Sequence, residues 1–238
     1  MRLKSLPRRG KQYVQHKLRF RRLRSVYERY RTFTMMPASH LASTLAVTED
    51  NRHVPGCIIE CGVWRGGMIA AMAEILGPSR DYFLFDSFEG IPAPKDIDGP
   101  AAKAWSEDKN GAWYYDNVKA EQSYSERAMQ IAGATKAHFV KGWFDQTIPP
   151  FKAPEPIAIL RLDGDWYDSI MVCLRHLVPQ LAPDGIVLVD DYWTWDGCSR
   201  AIHDYLSETK STRRIDRLYD NVCVVHNVAK PGTTTTSS

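Results

Sequence analysis

Apolar positions along this chain switch between two periods. Short runs of strand length occupy Cys57–Glu60, Tyr82–Asp86, Ala137–Lys141, Ile157–Asp163 and Ile186–Asp190. Helical patterns lie between or after them, at Met68–Leu76, Asp116–Ala132, Asp168–Leu181 and Ser199–Thr209. This alternation predicts an α/β fold with a parallel sheet covered on both faces. Two closing runs, Arg214–Tyr219 and Asn221–His226, follow each other closely enough to pair as an antiparallel hairpin. Ahead of the first strand, Phe20, Leu23, Tyr27 and Tyr30 recur at helical spacing and predict an amphipathic helix, with a second helical stretch at Pro37–Thr48. The stretch Ile91–Tyr115, rich in Pro, Gly, Asp, Lys and Ala, reads as one long loop. A loop of that length in a compact domain is more often a lid or binding loop than filler. The tail Lys230–Ser238 reads as disordered. The organisation expected is a helical arm and N-terminal helices over 1–50, an α/β domain over 51–228, and the tail over 229–238.

Composition narrows the class. With 238 residues, 44% hydrophobic and 25% charged, the chain can bury a large core, which excludes a disordered or fibrous protein. No apolar window is long enough for a transmembrane helix. The first residues lack the apolar core of an export signal, so a cytoplasmic protein is expected. Five cysteines, an odd set without a CxxC pair, fit buried thiols better than a disulfide frame or zinc site. The net charge of +3 is unevenly spread: residues 1–31 hold twelve Lys or Arg against Glu28 alone, which leaves an acidic remainder of −8. A basic helix of this kind packs on its own domain or on a partner subunit; weak contact with an anionic membrane surface is a further use. Nucleic-acid binding is not expected, because no recognition signature follows the arm.

Chemistry-bearing residues gather at strand ends. Glu60-Cys-Gly62-Val63-Trp64-Arg-Gly66-Gly67 reads as strand, glycine turn and helix start. A dinucleotide fingerprint needs glycine two positions after Gly62, where Trp64 stands, so a nicotinamide oxidoreductase is disfavoured. The acid ending the strand suits a cationic ligand better than a pyrophosphate, although a turn that serves packing alone stays open. Asp86 ends the next strand, where a doubly wound sheet places the carboxylate that grips a ribose diol. Asp163 and Asp165 end one strand and Asp190 and Asp191 the next, so the four can converge. An all-oxygen set without His or Cys points to Mg²⁺, Ca²⁺ or Mn²⁺. A phosphohydrolase could use four Asp, but it leaves Glu60 and the glycine turn unexplained. Asp168 is better explained as a helix cap. His176, His203 and Cys61 lack the partners a catalytic group needs. Trp193 and Trp195 either line an acceptor pocket or cap the sheet edge.

These motifs in order, Glu60–Gly67, Phe85-Asp-Ser-Phe-Glu-Gly-Ile-Pro92, Lys141-Gly-Trp-Phe144, Leu160-Arg-Leu-Asp-Gly-Asp165 and Asp190-Asp-Tyr192, resemble the macrocin O-methyltransferase (TylF/MycF/NovP) family over roughly Thr32 to Asp204. The resemblance implies a Rossmann-like class I methyltransferase sheet with a terminal antiparallel hairpin, preceded by the N-terminal helical arm. It implies S-adenosylmethionine and Mg²⁺ as cofactors, a sugar-like hydroxyl of a natural product as acceptor, and a homodimer or larger homo-oligomer. It places Glu60, Gly62, Val63, Trp64 and Gly66 around the methionine part of the donor, and Asp86, Ser87 and Phe88 at the ribose. Gly142, Trp143 and Phe144 fall near the adenine; Asp163, Asp190 and Asp191 match the metal ligands, with Asp163 also beside the donor; Asp165 matches the general base. The chain departs from the family at Ile170, where Thr is usual, and at Asn221–His226, where an aromatic-x-basic strand is usual. The alternative from another class is a non-catalytic scaffold of the same fold, tethered through its basic arm.

Overall fold

A computed structural model describes residues 8–219 and 222–227, with side chains from Tyr13 onward. The arm's first seven residues, Asn221 and the tail lie outside the described residues. In chain order the elements are α1 (Arg8–Tyr30), α2 (Ala38–Asp50), β1 (Cys57–Cys61), α3 (Gly67–Leu76), β2 (Tyr82–Asp86), α4 (Gly99–Glu107), α5 (Tyr115–Val118), α6 (Gln122–Ile131), β3 (Ala137–Lys141), α7 (Phe144–Thr147), β4 (Ile157–Leu162), α8 (Tyr167–Leu177), β5 (Leu181–Val189), α9 (Asp196–Glu208), β6 (Arg214–Leu218) and β7 (Val222–His226).

The strands form one sheet in the order β3-β2-β1-β4-β5-β7-β6. β1 to β5 are mutually parallel, and β7 runs antiparallel between β5 and β6. Every residue of β1 and of β4 is buried, as parallel strands with helices on both faces require. Ile58, Leu84 and Leu188 pack toward the α1, α2, α3 and α6 side. Phe85, Leu162 and Val189 pack toward α8 and α9. Strand order reverses between β1 and β4, and that reversal opens a crevice at the strands' carboxyl ends.

The arm helix is docked on this body. Leu23, Val26 and Tyr30 of α1 are buried in the same core as α2 and α3. Arg19 and Arg22 pair with Glu49 at 2.9 and 2.5 Å, and Tyr30 donates to Glu74 at 3.0 Å.

Four expectations need correction. The stretch 91–115 is not one loop: Asp96–Asp98 forms a 3-10 turn that leads into α4, where Pro100 stands in the first turn, a position that needs no N–H. The helix expected from Asp116 starts only at Gln122, because Tyr115 to Val118 take positive φ of 41–58°. β5 begins at Leu181 rather than Ile186. Asp168 does not cap α8; Asp98, buried in the 3-10 turn, accepts the Tyr167 N–H at 2.7 Å, and Asp168 pairs with Lys95 instead.

Candidate active site

Two cavities of about 430 and 460 Å³ open side by side in the crevice, within the size range of ligand sites. Gly62, Asp86, Asp163 and Trp166 belong to both walls. The first cavity holds the acids Glu60, Asp165, Asp190 and Asp191 together with Arg161. The second is walled by Ser87, Trp143, Phe144 and Ser169.

The turn after β1 is shaped by close packing. A Cβ on Gly62, whose φ is +89°, would stand 1.9 Å from the carbonyl oxygen of Asp163. Only glycine lets the ends of β1 and β4 approach this closely. Gly66 caps α3 in the left-handed conformation, and a Cβ there would meet Ser125 of α6 at 2.7 Å. Asp86 organises the turn from the neighbouring strand end. Its Oδ2 accepts the Val63 and Trp64 N–H groups at 2.8 and 2.9 Å, and its Oδ1 accepts the Phe88 N–H at 2.7 Å. Burial raises the Asp86 pKa, and these three donors oppose the rise. The Gly142 N–H donates to the Asp86 carbonyl at 2.9 Å. Val63 and Trp64 face the first cavity, while Gly66, Phe88 and Gly142 shape the turns and stand in neither wall.

A buried guanidinium sits where the sequence reading expected a cationic ligand. Arg161 points from β4 beside Glu60, its register partner on β1. Its Nη1 donates to Glu60 Oε1 at 2.5 Å and to Asp163 Oδ2 at 2.8 Å, and its Nη2 donates to Asp190 Oδ1 at 2.6 Å. Arg161 and Glu60 are 1% exposed, so the cation opposite Glu60 is in the first place part of the protein. Burial still pushes the Glu60 carboxyl up to about 7 against the pull of Arg161, and its Oε2 is buried without a partner. His40 of α2 reaches Asp190 at 3.5 Å.

The acids nonetheless outnumber the cations. Oxygens of Asp163, Asp190 and Asp191 lie within 4.8 Å of one another. Burial, together with its acidic neighbours, raises Asp191 well above the carboxylate range, and its Oδ2 is buried without a partner. Desolvation also raises Asp163 despite Arg161. Crowded carboxylates with an orphaned oxygen, in a ligand group that among the described residues is made of Asp alone, fit a hard divalent cation.

Asp165 lies in the same cavity wall, and its Oδ1 accepts the Trp195 indole N–H at 2.8 Å. Burial and Asp163 push it up to about 8, with the indole opposing. Trp195 therefore lines the pocket, whereas Trp193 is 47% exposed beside Arg217. Cys61 is buried in the core, and His203 bonds Tyr192 at 2.8 Å. Sequence reasoning missed Arg161, His40 and Trp166. Only Arg161 carried a signal, as the single charge inside the apolar run Ile157–Leu162.

Comparison with known proteins follows this geometry. The family model described as Macrocin-O-methyltransferase (TylF) matches residues 12–227. A Streptomyces olivaceus protein named 8-demethyl-8-(2,3-dimethoxy-alpha-L-rhamnosyl)-tetracenomycin-C 4'-O-methyltransferase is 35% identical over 64% of this chain and 58% of its own length. The Micromonospora griseorubida mycinamicin III 3''-O-methyltransferase is 35% identical over 64% of this chain and 61% of its own. The chain thus spans about three fifths of the length of these relatives. The solved O-methyltransferase NovP superposes with a TM-score of 0.70 at 25% identity, over 83% of each chain. The match across nearly the whole chain, on a sheet of this order, places it: the protein belongs to the macrocin-O-methyltransferase (TylF) family.

Proposed function

We propose that the protein transfers a methyl group from S-adenosylmethionine to a hydroxyl, with Mg²⁺ assistance, on a sugar or a glycosylated natural product. The observation that carries this reading is the surplus of acid in the first cavity. Glu60, Asp163, Asp165, Asp190 and Asp191 face one guanidinium there, which suits a divalent cation and a positively charged donor together. Family membership, the rhamnosyl group in the name of the Streptomyces olivaceus relative and the natural product in that of the Micromonospora griseorubida relative support it.

In this reading the second cavity receives the nucleoside, with Trp143, Phe144 and Ser87 as its walls and Asp86 at its junction with the first. Glu60, Gly62, Val63 and Trp64 border the methionine part, and Gly66 shapes the turn behind them. Asp163, Asp190 and Asp191 would hold the cation, whose charge would favour loss of a proton from the acceptor hydroxyl. Asp165 takes the acceptor proton as the oxygen attacks the methyl carbon; the carbon–sulfur bond breaks and its electron pair stays on sulfur. Walls from two strand ends hold donor and acceptor in near-attack geometry, which supplies much of the rate. The buried cysteines favour a cytoplasmic setting, and a homo-oligomer is part of the proposal.

Calorimetric titration of the purified protein with S-adenosylmethionine and with NAD, each with Mg²⁺ and with EDTA, tests the reading. Micromolar binding of the sulfonium donor and none of NAD is expected, followed by methylation of rhamnosyl acceptors. If neither binds, the glycine turn is structural and the scaffold reading replaces this one.

A further inference from the structure

Asp165 is held in an unusual way. It is the central residue of a three-residue turn in which the Trp166 N–H donates to the Gly164 carbonyl at 2.6 Å. Its φ is +56°, a left-handed value that a residue with a Cβ takes at a cost. The turn sets the direction of the side chain, and the indole N–H of Trp195 is the one side-chain hydrogen bond Asp165 receives among the described residues.

Trp195 in turn is fixed at both ends. Its backbone N–H donates to the Asp191 carbonyl at 3.0 Å. Its ring meets Trp166 edge-to-face, with centroids 5.3 Å apart at 64°. Trp105 of α4 closes a triangle, 5.9 Å from Trp166 and 6.3 Å from Trp195 at similar angles, the arrangement aromatic quadrupoles favour. Trp166 is 2% exposed and anchored by its own N–H to the Pro92 carbonyl at 2.7 Å. Packing alone would need only the ring of Trp195. Its N–H donating to a carboxyl oxygen at 2.8 Å is a directed bond that packing does not require.

We propose that Trp195 is a positioning residue: braced by Trp105 and Trp166, its indole N–H fixes one oxygen of Asp165 so that the other faces the acceptor hydroxyl. This rests on the reading of Asp165 as the base. Trp195 thereby ties the base to the strand end that carries Asp190 and Asp191, and α4 acts on the base through Trp105 without touching it.

Two measurements test this. In ¹⁵N-tryptophan-labelled full-length protein, the Trp195 indole signal is identified by its loss in Trp195→Phe. Asp165→Ala should shift that signal upfield and speed its hydrogen exchange at least tenfold; an unmoved signal overturns the proposal. In the rhamnosyl-acceptor assay, Trp195→Phe and its replacement by benzothienylalanine, which keeps the bicyclic shape without the N–H, should each lower kcat about tenfold or more. Acceptor KM and the Kd for S-adenosylmethionine should stay within twofold. A benzothienylalanine protein with full kcat, or one that loses only KM, sinks the proposal. Failure of the unsubstituted protein to bind the donor sinks the functional reading instead, while the indole signal still decides whether Trp195 holds Asp165.

Discussion

Arg161 and Arg19 each fork onto several acceptors, and their surroundings separate them. Arg161 reaches Glu60, Asp163 and Asp190 with its side chain 2% exposed. Arg19 reaches Glu49, Asp50, the Ala46 carbonyl and the Tyr219 hydroxyl with 23% exposure. Around Arg19 the charges balance, since Arg22 also pairs with Glu49. Around Arg161 they do not, because Asp165 and Asp191 add two further acids to the three it contacts. The balanced cluster clips a helix to the body and asks for nothing more. The unbalanced one, out of water, keeps carboxyl pKa values high and orphans an oxygen on Glu60 and on Asp191. That difference separates a structural ion network from the cluster to which the proposed function assigns a divalent cation.

The largest expected effect is at the buried fork. Arg161→Met would leave Glu60, Asp163 and Asp190 without their cation, and breaking a buried pair by removing one partner costs about 3–5 kcal/mol. Urea denaturation should show a loss of that size. Arg161→Lys keeps the charge but cannot fork onto three carboxylates, so it should fall between the two. A loss under about 1 kcal/mol for Arg161→Met would mean that the buried cluster is no more demanding than the surface one.

The sheet was legible in the sequence because parallel strands buried on both faces read as apolar runs between turn residues. β2 and β3 fall at the expected bounds. The carboxylates were legible because a strand end in such a sheet is a known location. Arg161 was not read, because a charge inside a buried strand is informative only once its partners on β1 and β5 are known to lie beside it. His40 and Trp166 gave no local sign; each acquires its role from a neighbour far away in sequence. The segment 91–115 misled through its composition: Pro, Gly and Asp mark a helix start as well as a loop, and Asp98, whose one oxygen accepts the nearby Lys95 N–H, turns its other oxygen to α8, far along the chain.

A second test separates the clusters by ligand. If the unbalanced one takes a divalent cation, Mg²⁺ at a hundred times its Kd should stabilise the protein by about 2.7 kcal/mol, seen as a rise in Tm of roughly 5–10 °C for a chain of this size. Asp191→Asn should abolish most of the rise, whereas Arg19→Ala should keep it while lowering Tm slightly. Equal Mg²⁺ shifts in the unsubstituted and Asp191→Asn proteins would remove the cation from this site.

The smallest effect lies at the arm. Burial tends to raise the Glu49 pKa, but hydrogen bonds and charge from Arg22 and Arg19 outweigh it and hold the carboxyl below its ordinary value. A depressed folded-state pKa contributes stability above the unfolded value near 4.3, and that contribution fades as pH falls through the lowered value. The Arg22 side chain is 51% exposed, so Arg22→Ala should cost at most about 1 kcal/mol at pH 7 and low salt. That difference from the unsubstituted protein should shrink in 1 M salt, where the Debye length is short, and fade as pH falls through the lowered Glu49 value and the carboxyl takes up a proton. Urea melts at successive steps downward from pH 7, at low salt and in 1 M salt, check both. A difference that stays constant until the protein itself unfolds in acid would mean that Arg22 holds α1 by packing its stem against α2 rather than by its charge, and the contrast between the two arginine clusters would then rest on Arg19 alone.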